Sequence, residues 1–269
     1  MSLNRIALLC VALGVMAACK NQDVSVTTPP PLVAVRFINA VPDTGAVDIR
    51  MIDQVEWSAF GTAVNFRGGT AYQPTEAKAR RIRVFPTSLN IAITSQILLD
   101  TTISLTAGGR VSLVLTGSAR SKSLKFVTVD DDISAPAAGQ IAVRLVNASG
   151  APVNGYLVND TTSALPGSPT YTNVAPVGTS TYVTRSIGTV AVRATDAGSA
   201  TVNASTFGPN APTSPPGDVF PAAGVNSQYT RFSVYYFPRG VAGSPQNAVT
   251  KPTLIWFVDR NPCDPGVTC

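Results

Sequence analysis

The stretch Val33-Ala34-Val35-Arg36-Phe37-Ile38-Asn39-Ala40 returns 108 positions later as Ile141-Ala142-Val143-Arg144-Leu145-Val146-Asn147-Ala148. Both copies read aliphatic-Ala-Val-Arg-apolar-aliphatic-Asn-Ala, so we interpret each as the opening strand of one of two similar domains. The first, third and fifth residues of each copy are large and apolar, the period of two that is typical of a strand with one buried face. The sequence therefore predicts a tandem repeat of β-domains.

The composition favours an all-β protein. Only 13% of residues are charged, and 21 Gly with 21 Pro punctuate short apolar runs that rarely show helical spacing. The length suits two domains that each bury a core. We expect two tandem β-sandwiches, immunoglobulin-like or transthyretin-like: the first at 32–133, a linker at 134–139 and the second at 140–262.

Histidine is absent from the whole chain. This excludes a Ser-His-Asp triad, a histidine general base and the commonest imidazole metal sites. Glutamate occurs only as Glu56 and Glu76, so any catalytic carboxylate pair would have to use Asp. We expect no enzymatic activity and no cofactor, with a hydrolase that uses paired Asp as one alternative. The formal charge of +5 is spread along the chain and does not imply a nucleic-acid partner.

The N-terminus has the features of a secretory signal at residues 1–18. A positive start is followed by an apolar run of 13 residues, Ile6 to Ala18, which is too short to span a bilayer. Its end, Val15-Met16-Ala17-Ala18-Cys19, resembles the lipobox of bacterial lipoproteins, in which the Cys is acylated. The alternative is an ordinary signal peptide cut after Ala18.

If the lipobox is used, Cys19 carries the lipid and residues 19–31, polar and then proline-rich, form a tether. We then expect an exported protein that is lipid-anchored in the bacterial cell envelope. Lys20 after the Cys indicates the outer membrane by the sorting rule of Gram-negative lipoproteins.

The first domain resembles the bacterial domain-of-unknown-function 4397 family. That family opens with a Val-Arg strand, an Asn or His, a Pro-Asp turn and a Val-Asp strand. The residues that fit this pattern are Arg36, Asn39, Ala40, Pro42, Asp43, Val47 and Asp48, and the resemblance covers about residues 33–132. It implies a secreted β-domain and nothing catalytic.

The second domain is a degenerate copy of the first. Ser149-Gly150-Ala151-Pro152 replaces the Pro-Asp turn, and no Val-Asp pair follows. The closing strands match as 126–130 and 255–259, which are 129 positions apart, so the second copy is longer. We expect many of the extra residues in a surface loop at 207–224, which is rich in Pro and Gly. In the first copy, Leu99 to Thr106 and Arg110 to Thr116 are predicted to form a hairpin with one buried and one solvated face.

Four groups of residues are candidate sites. Cys263 and Cys269, in the tail 263–269, are expected to form a disulfide, because an exported protein meets an oxidising compartment. The basic residues Lys78, Arg80, Arg81 and Arg83 form either a surface for an anionic ligand or an ordinary charged sheet face.

Asp130-Asp131-Asp132 is a weak calcium candidate and more typical of a solvated turn, and no other metal site is expected. The aromatic residues of the second domain form either a carbohydrate platform or core: Tyr229, Phe232, Tyr235, Tyr236, Phe237, Trp256 and Phe257. Arg36 and Asp48 are predicted to pair across neighbouring strands.

Together these features favour a non-catalytic envelope scaffold for adhesion or ligand binding. Its expected partners are the membrane, through the lipid anchor, and an envelope polysaccharide or protein. A carbohydrate-binding module of the envelope is the second alternative.

Overall fold

The computed structural model describes residues 28–53, 59–212 and 222–262 of the chain. Within them lie sixteen strands and one four-residue helix. The first sandwich contains β1 (Leu32–Asn39), β2 (Val47–Met51), β3 (Gly61–Val64), β4 (Gln73–Glu76), β5 (Ala79–Pro86), α1 (Ile91–Thr94), β6 (Leu99–Ser104), β7 (Arg110–Thr116) and β8 (Lys125–Asp131). The second contains β9 (Gln140–Asn147), β10 (Val153–Val158), β11 (Tyr171–Val174), β12 (Val183–Ser186), β13 (Ala191–Asp196), β14 (Val202–Phe207), β15 (Arg231–Phe237) and β16 (Thr253–Arg260).

Each sandwich is built from two four-stranded sheets in the same order. The sheets that we call inner have the orders β4-β1-β7-β8 and β12-β9-β15-β16, and the outer sheets have the orders β3-β2-β5-β6 and β11-β10-β13-β14. The opening strands β1 and β9 pair in parallel with β7 and β15. The predicted tandem β-sandwich fold is confirmed. Because immunoglobulin constant domains have the sheets ABED and CFG, the observed order favours the transthyretin-like alternative.

The predicted alternation places the core correctly. Val33, Val35 and Phe37 of β1 pack into the core of the first sandwich, and their counterparts in β9 pack into that of the second. The opposite face of both strands is buried as well, since Ile38 and Val146 are at most 2% exposed. These second faces meet between the two inner sheets.

The predicted hairpin of β6 and β7 is wrong. β6 pairs with β5 in the outer sheet, whereas β7 lies between β1 and β8 in the inner sheet, so residues 105–109 cross from one sheet to the other. Strand alternation is the same in a hairpin and in such a crossing, and Gly108, with φ +83°, permits the turn in either case. The second face of β7 is not solvated either, because it lies against the second sandwich.

The match of the closing strands is wrong by one residue. Ser112 of β7 pairs with Val129, and its equivalent Ser233 of β15 pairs with Phe257. The structural equivalent of Asp259 is therefore Asp131, and not Asp130. The connection between β14 and β15, residues 208–230, is much longer than residues 105–109 of the first sandwich. The loop predicted at 207–224 lies partly outside the described residues, and Phe207 itself ends β14.

Several predicted features lie outside the described residues. These are the signal at 1–18, Cys19 with most of the tether, and the pair Cys263 and Cys269. Among the helices of the described part of the chain, none is long and apolar enough to cross a membrane.

Candidate functional site

The two inner sheets pack face to face around a small apolar cluster. It consists of Ile38, Ala40, Val114 and Val129 from the first sandwich and Val146, Ala148, Tyr235 and Phe237 from the second, with Ile255 and Phe257 packed against it. Burial of this apolar surface favours a fixed arrangement of the two sandwiches.

A buried polar network lies beside this cluster, and Arg36 is its first half. The guanidinium of Arg36 donates from Nε to Ser112 Oγ at 2.8 Å, within its own sandwich. From Nη1 and Nη2 it donates to the Val258 carbonyl at 2.9 Å and to Asp259 Oδ1 at 2.7 Å, both in the second sandwich. One side chain thus joins β1 and β7 to β16.

Arg144 makes the same contacts in the opposite direction. Its Nε donates to Ser233 Oγ at 2.7 Å, and its Nη1 donates to the Asp130 carbonyl at 2.8 Å. Its Nη2 donates to Asp131 Oδ1 of the first sandwich. Each sandwich therefore supplies an arginine to the other one's carboxylate.

The two carboxylates are satisfied by further donors. Asp131 Oδ2 accepts from the hydroxyls of Ser112 and Tyr72, each at 2.6 Å. Asp259 Oδ2 accepts from the hydroxyls of Ser233 at 2.6 Å and Tyr182 at 2.8 Å. The tyrosine rings also cover the arginines, because the guanidinium carbons of Arg36 and Arg144 lie 4.5 Å and 4.6 Å from the ring centroids of Tyr72 and Tyr182.

Burial and mutual charge shape the electrostatics of this network. Burial raises the pKa of Asp131, and the neighbouring charge of Asp259 adds to it, while Arg36 and Arg144 act in the opposite direction. Burial raises the pKa of Tyr72 and of Tyr182, so both hydroxyls remain protonated donors. For Arg36, burial lowers the pKa but is outweighed by Tyr72 and Asp259, so the guanidinium stays charged.

The sequence contains signals for this network that strand periodicity alone does not reveal. An arginine stands at the same place in both apolar opening strands. The segments Gly68-Gly69-Thr70-Ala71-Tyr72 and Gly178-Thr179-Ser180-Thr181-Tyr182 also share Gly, a hydroxyl residue and Tyr at equal spacing. The hydroxyls of Thr70 and Ser180 accept from the equivalent backbone N–H groups of Phe37 and Leu145. Comparing all repeated polar residues would have grouped these side chains.

Asp48 has no part in this network, so its predicted pairing with Arg36 is wrong. The Asp48 carboxylate accepts from the Ala63 N–H and the Thr87 hydroxyl. The reason is that β1 and β2 belong to different sheets, and Arg36 lies on the face of β1 that packs against the second sandwich.

The predicted basic cluster has an acidic partner beside each cation. Lys78 Nζ lies 2.6 Å from Glu76, and Arg80 is buried against Asp53 at 2.9 Å. Arg81 and Arg83 share Asp100, at 2.8 Å and 2.7 Å, on the exposed face of β5. The alternation that sends Ile82 and Val84 into the core also turns Arg80 inward, at the end of the sheet.

The three consecutive aspartates do not converge. Asp131 is buried in the interface, whereas Asp130 and Asp132 are exposed, and Asp132 pairs with Arg231 at 2.9 Å. Neighbouring residues of a strand point to opposite faces, so such a run cannot surround one ion. Within the described residues no group of three or more His, Cys, Asp or Glu could hold a metal ion.

The aromatic residues of the second sandwich are mostly interior. Phe232 and Tyr236 belong to its core, while Tyr235 and Phe237 lie in the interface cluster. The half-buried members of the set are Tyr229, Trp256 and Phe257. Among the described aromatic side chains, Phe207 is the exposed one, at 51%.

Loops of both sandwiches meet at one end of the molecule, where β1, β7 and β15 finish. The turn at 40–46, the loop at 117–124 and the loop at 238–252 are linked by hydrogen bonds. The Val241 N–H donates to the Pro42 carbonyl at 3.1 Å, and Gln246 Nε2 donates to the Thr44 carbonyl at 2.9 Å. We call this surface the loop end.

Two cavities open at the loop end, and Arg239 lines both. One, of about 550 Å³, also contains Asp196, Asn203 and Tyr236 in its lining. The other, of about 650 Å³, lies between Pro42 of the first sandwich and the 238–252 loop. The loop end is therefore one part of the described surface where side chains from both sandwiches could contact one ligand; a cavity of about 440 Å³ beside Tyr72 and Phe257 is another.

Comparison with known families gives one match. Residues 33–154 match the sequence model of a family described as a domain of unknown function, DUF4397. The match spans the first sandwich and continues through β9 into the first two residues of β10. A search of curated proteins found no match.

Three solved structures show distant likeness. The C-terminal domain of AlgF from P. aeruginosa is 17% identical, with 38% of this chain and 99% of that chain covered and a TM-score of 0.24. A family 41 carbohydrate-binding module from streptococcal virulence factors, from work on alpha-glucan recognition, is 12% identical (82% and 95% covered, TM-score 0.24). CBMbc, a family CBM26 module of Eubacterium rectale Amy13K in complex with maltoheptaose, is 13% identical (87% and 98% covered, TM-score 0.24). At this TM-score the likenesses carry no argument about the ligand of this chain.

Proposed function

We propose that this chain, whose residues 33–154 match the sequence model of the DUF4397 family, is a non-catalytic scaffold of the bacterial cell envelope. A lipid on Cys19 anchors it, and the loop end binds its ligand. The family is described as a domain of unknown function, so the support for this proposal comes from the interface network and the loop end.

The observation that carries this proposal is the reciprocal arginine–aspartate exchange. Arg36 with Asp259 and Arg144 with Asp131 are buried ion pairs that form only when both sandwiches are aligned. Removing one partner of such a pair leaves an uncompensated buried charge, so the paired arrangement is strongly preferred. The network therefore holds the loops of both sandwiches in a constant relation, as a composite binding surface requires.

Paired aspartates as hydrolytic catalysts are less well supported. Arg36 Nη2 does bring two carboxylates together, lying 2.7 Å from Asp259 and 3.6 Å from Asp131. Both carboxylate side chains are 0% exposed, however, and their oxygens accept hydrogen bonds from serine and tyrosine hydroxyls. Catalytic carboxylates need room for substrate and water between them, which this packing does not provide.

A carbohydrate platform built from the second-domain aromatic residues is also less well supported. Stacking on sugar needs exposed ring faces, whereas the predicted residues are core, interface or half-buried. Any carbohydrate ligand would therefore have to use polar groups rather than this aromatic set.

Anchoring through Cys19 is compatible with the position of the loop end. β1 begins at Leu32, at the end of the molecule where the tether joins, and reaches the loop end after eight residues. Eight residues of strand span about 26 Å. The loop end therefore lies at the opposite end of β1 from Leu32, the strand residue that follows the predicted tether.

Metabolic labelling with a palmitate analogue tests the anchor. The wild-type protein is expected to incorporate the label and to fractionate with membranes, and Cys19→Ser is expected to lose both properties. Cys10→Ser is the matched control, because Cys10 lies inside the predicted signal and should leave labelling unchanged. Equal labelling of Cys19→Ser and wild type would refute the lipid anchor.

A further inference from the structure

Five described cations without a carboxylate partner lie at or beside the loop end, while others, such as Arg50, Arg185 and Arg193, lie on strands. Among the described residues, no ion pair within 4.0 Å involves Arg67, Arg120, Lys122, Arg239 or Lys251. We call these five residues the cationic loop face. They contrast with the predicted cluster on β5, where every cation has an acidic neighbour.

Hydrogen bonds across the sandwiches hold this face together. Arg67 of the first sandwich donates to the carbonyls of Pro238, at 2.6 Å, and of Lys251. Arg120 donates to the carbonyls of Ala242, at 3.1 Å, and of Gly243. Because carbonyl oxygens carry no net charge, these hydrogen bonds fix both guanidinium groups without neutralising them, and the charge of Asp43 acts on Arg120 alone of the two.

The other three cations are free to contact a ligand. Lys122, Arg239 and Lys251 are exposed, and Arg239 lies on the rim between the two cavities. Lys122 is in the loop that Arg120 attaches to residues 242–243. Arg239 therefore has a concave surface on either side, and the two lysines lie in the loops that meet at the same end of the molecule.

Two acidic residues lie close to the cationic loop face and do not cancel it. Asp43 is occupied by the Ser118 hydroxyl at 2.6 Å and by the N–H groups of Ala119 and Arg120. Asp196 is exposed and lines the cavity of about 550 Å³ beside Arg239. Five cations against two carboxylates leave this end of the molecule with an excess of positive charge.

We propose that the cationic loop face binds an acidic polysaccharide, with its anionic groups at Arg239, Lys122 and Lys251 and its sugar rings in the two flanking cavities. The cavities have polar side chains in their linings, including Asn203, Tyr236 and Asn247, which suits a ligand rich in hydroxyl groups. This inference deepens the proposed function by naming the ligand class and the residues.

An anionic membrane is the competing partner for a cationic surface. One exposed apolar side chain, Val241 at 38%, does lie beside Arg239, but a flat bilayer surface would not fill the two concave, partly polar cavities. The observations therefore favour a polysaccharide, and vesicles become one arm of the test.

The test measures binding of the full-length protein, purified in detergent, to polygalacturonate, to neutral dextran and to phosphatidylglycerol vesicles. We expect binding to polygalacturonate that weakens with salt, and none to dextran. The triple variant Lys122→Gln/Arg239→Gln/Lys251→Gln should bind about 10- to 100-fold more weakly, since each exposed ion pair contributes a few-fold. Within the described residues these three side chains make no hydrogen bond or ion pair, so the melting temperature should not change.

The matched control is Lys78→Gln/Arg81→Gln/Arg83→Gln, which removes the same number of positive charges from the paired cluster. Its affinity should stay within about threefold of wild type. Equal loss in both triple variants, no binding of wild type to polygalacturonate at low salt, or binding to vesicles alone would each overturn the inference. If the protein proves to carry no lipid but still binds polygalacturonate, the proposed membrane anchor is refuted and the polysaccharide site is not.

Discussion

Asp43 shows how one predicted turn residue organises a distant loop. Its Oδ1 accepts from the Ala119 N–H at 2.9 Å, and its Oδ2 accepts from the Ser118 hydroxyl and the Arg120 N–H. Burial alone would raise the pKa of Asp43, but the hydrogen bond from Ser118 and those from the two N–H groups outweigh it and lower the pKa. The folded state therefore binds the anionic form more strongly than the unfolded state does.

This lowered pKa predicts a specific pH dependence. A carboxylate with a depressed folded pKa stabilises the protein above its unfolded pKa, and this contribution is lost as pH falls through the folded pKa. Asp43→Asn should lower the free energy of unfolding at neutral pH by about 1–3 kcal/mol. The difference between wild type and variant should shrink below about pH 4, as followed by urea unfolding at each pH. A difference that grows on acidification would contradict the assignment.

At the same scale, Arg36 marks a limit of sequence reasoning. The repeated strand pattern correctly identified the residues that enter the core, and it placed Arg36 on the opposite face. Period two tells which side chains share a face but not what covers that face. The facing sheet comes from residues more than 200 positions away, Val258 and Asp259, so no local pattern could assign Arg36 its partner.

At the scale of the strands, one equivalent cross-strand pair occurs in both sandwiches with the positions of its large residue and its glycine reversed. Ile49 of β2 lies opposite Gly61 of β3, whereas Gly155 of β10 lies opposite Tyr171 of β11. A Cβ atom on Gly155 would lie 2.7 Å from Leu145 Cδ2 and 2.9 Å from Tyr171 Cδ2. Gly155 is therefore small because Tyr171 and Leu145 fill its space.

This complementarity predicts coupling between the two positions. Gly155→Ile alone should lower the free energy of unfolding by about 1–3 kcal/mol through overpacking. The double variant Gly155→Ile/Tyr171→Gly reproduces the pair of the first sandwich and should recover part of that loss, with a coupling energy of about 0.5–3 kcal/mol. Denaturant unfolding measures both, and Gly150→Ala, whose added Cβ meets nothing within 4 Å, is the neutral control. Strictly additive effects would show that the two sites are independent.

The connections between strands were harder to predict than the strands. The repeat and the alternation identified both opening strands and the all-β class, because these depend on local periodicity. The path of residues 105–109 depends on which strand β7 joins. It joins β1 in parallel, although 70 residues separate the end of β1 from the start of β7. Glycine-rich connections carry no information about that choice.

For the molecule as a whole, the reciprocal ion pairs predict cooperative behaviour. Arg36→Met should lower the free energy of unfolding by about 3–5 kcal/mol, because Asp259 is left buried without its cation. Adding Asp259→Asn should recover about 1–3 kcal/mol, since the unpaired charge is then removed. Calorimetry should show one transition for wild type and separate transitions of the sandwiches for Arg36→Met/Arg144→Met.

The control for these variants is Arg81→Met, which breaks an exposed pair with Asp100 and should cost less than about 1 kcal/mol. Two well-separated transitions already present in wild type would show that the sandwiches unfold independently. That result would remove the physical basis for treating the loop end as one surface.

The bond from Arg36 to Asp259 also has a consequence for biosynthesis. It joins residues 223 positions apart, so Arg36 of β1 waits for β16 before it meets its nearest carboxylate, whereas Asp131 of its own sandwich lies 3.6 Å away. A nascent or truncated polypeptide ending before β16 lacks Val258 and Asp259 as acceptors for this arginine, and slow closure of such distant contacts leaves the chain unfolded for longer. Delayed maturation of this kind exposes incomplete products to proteolysis, and under the proposed export it would keep the chain unfolded until translocation.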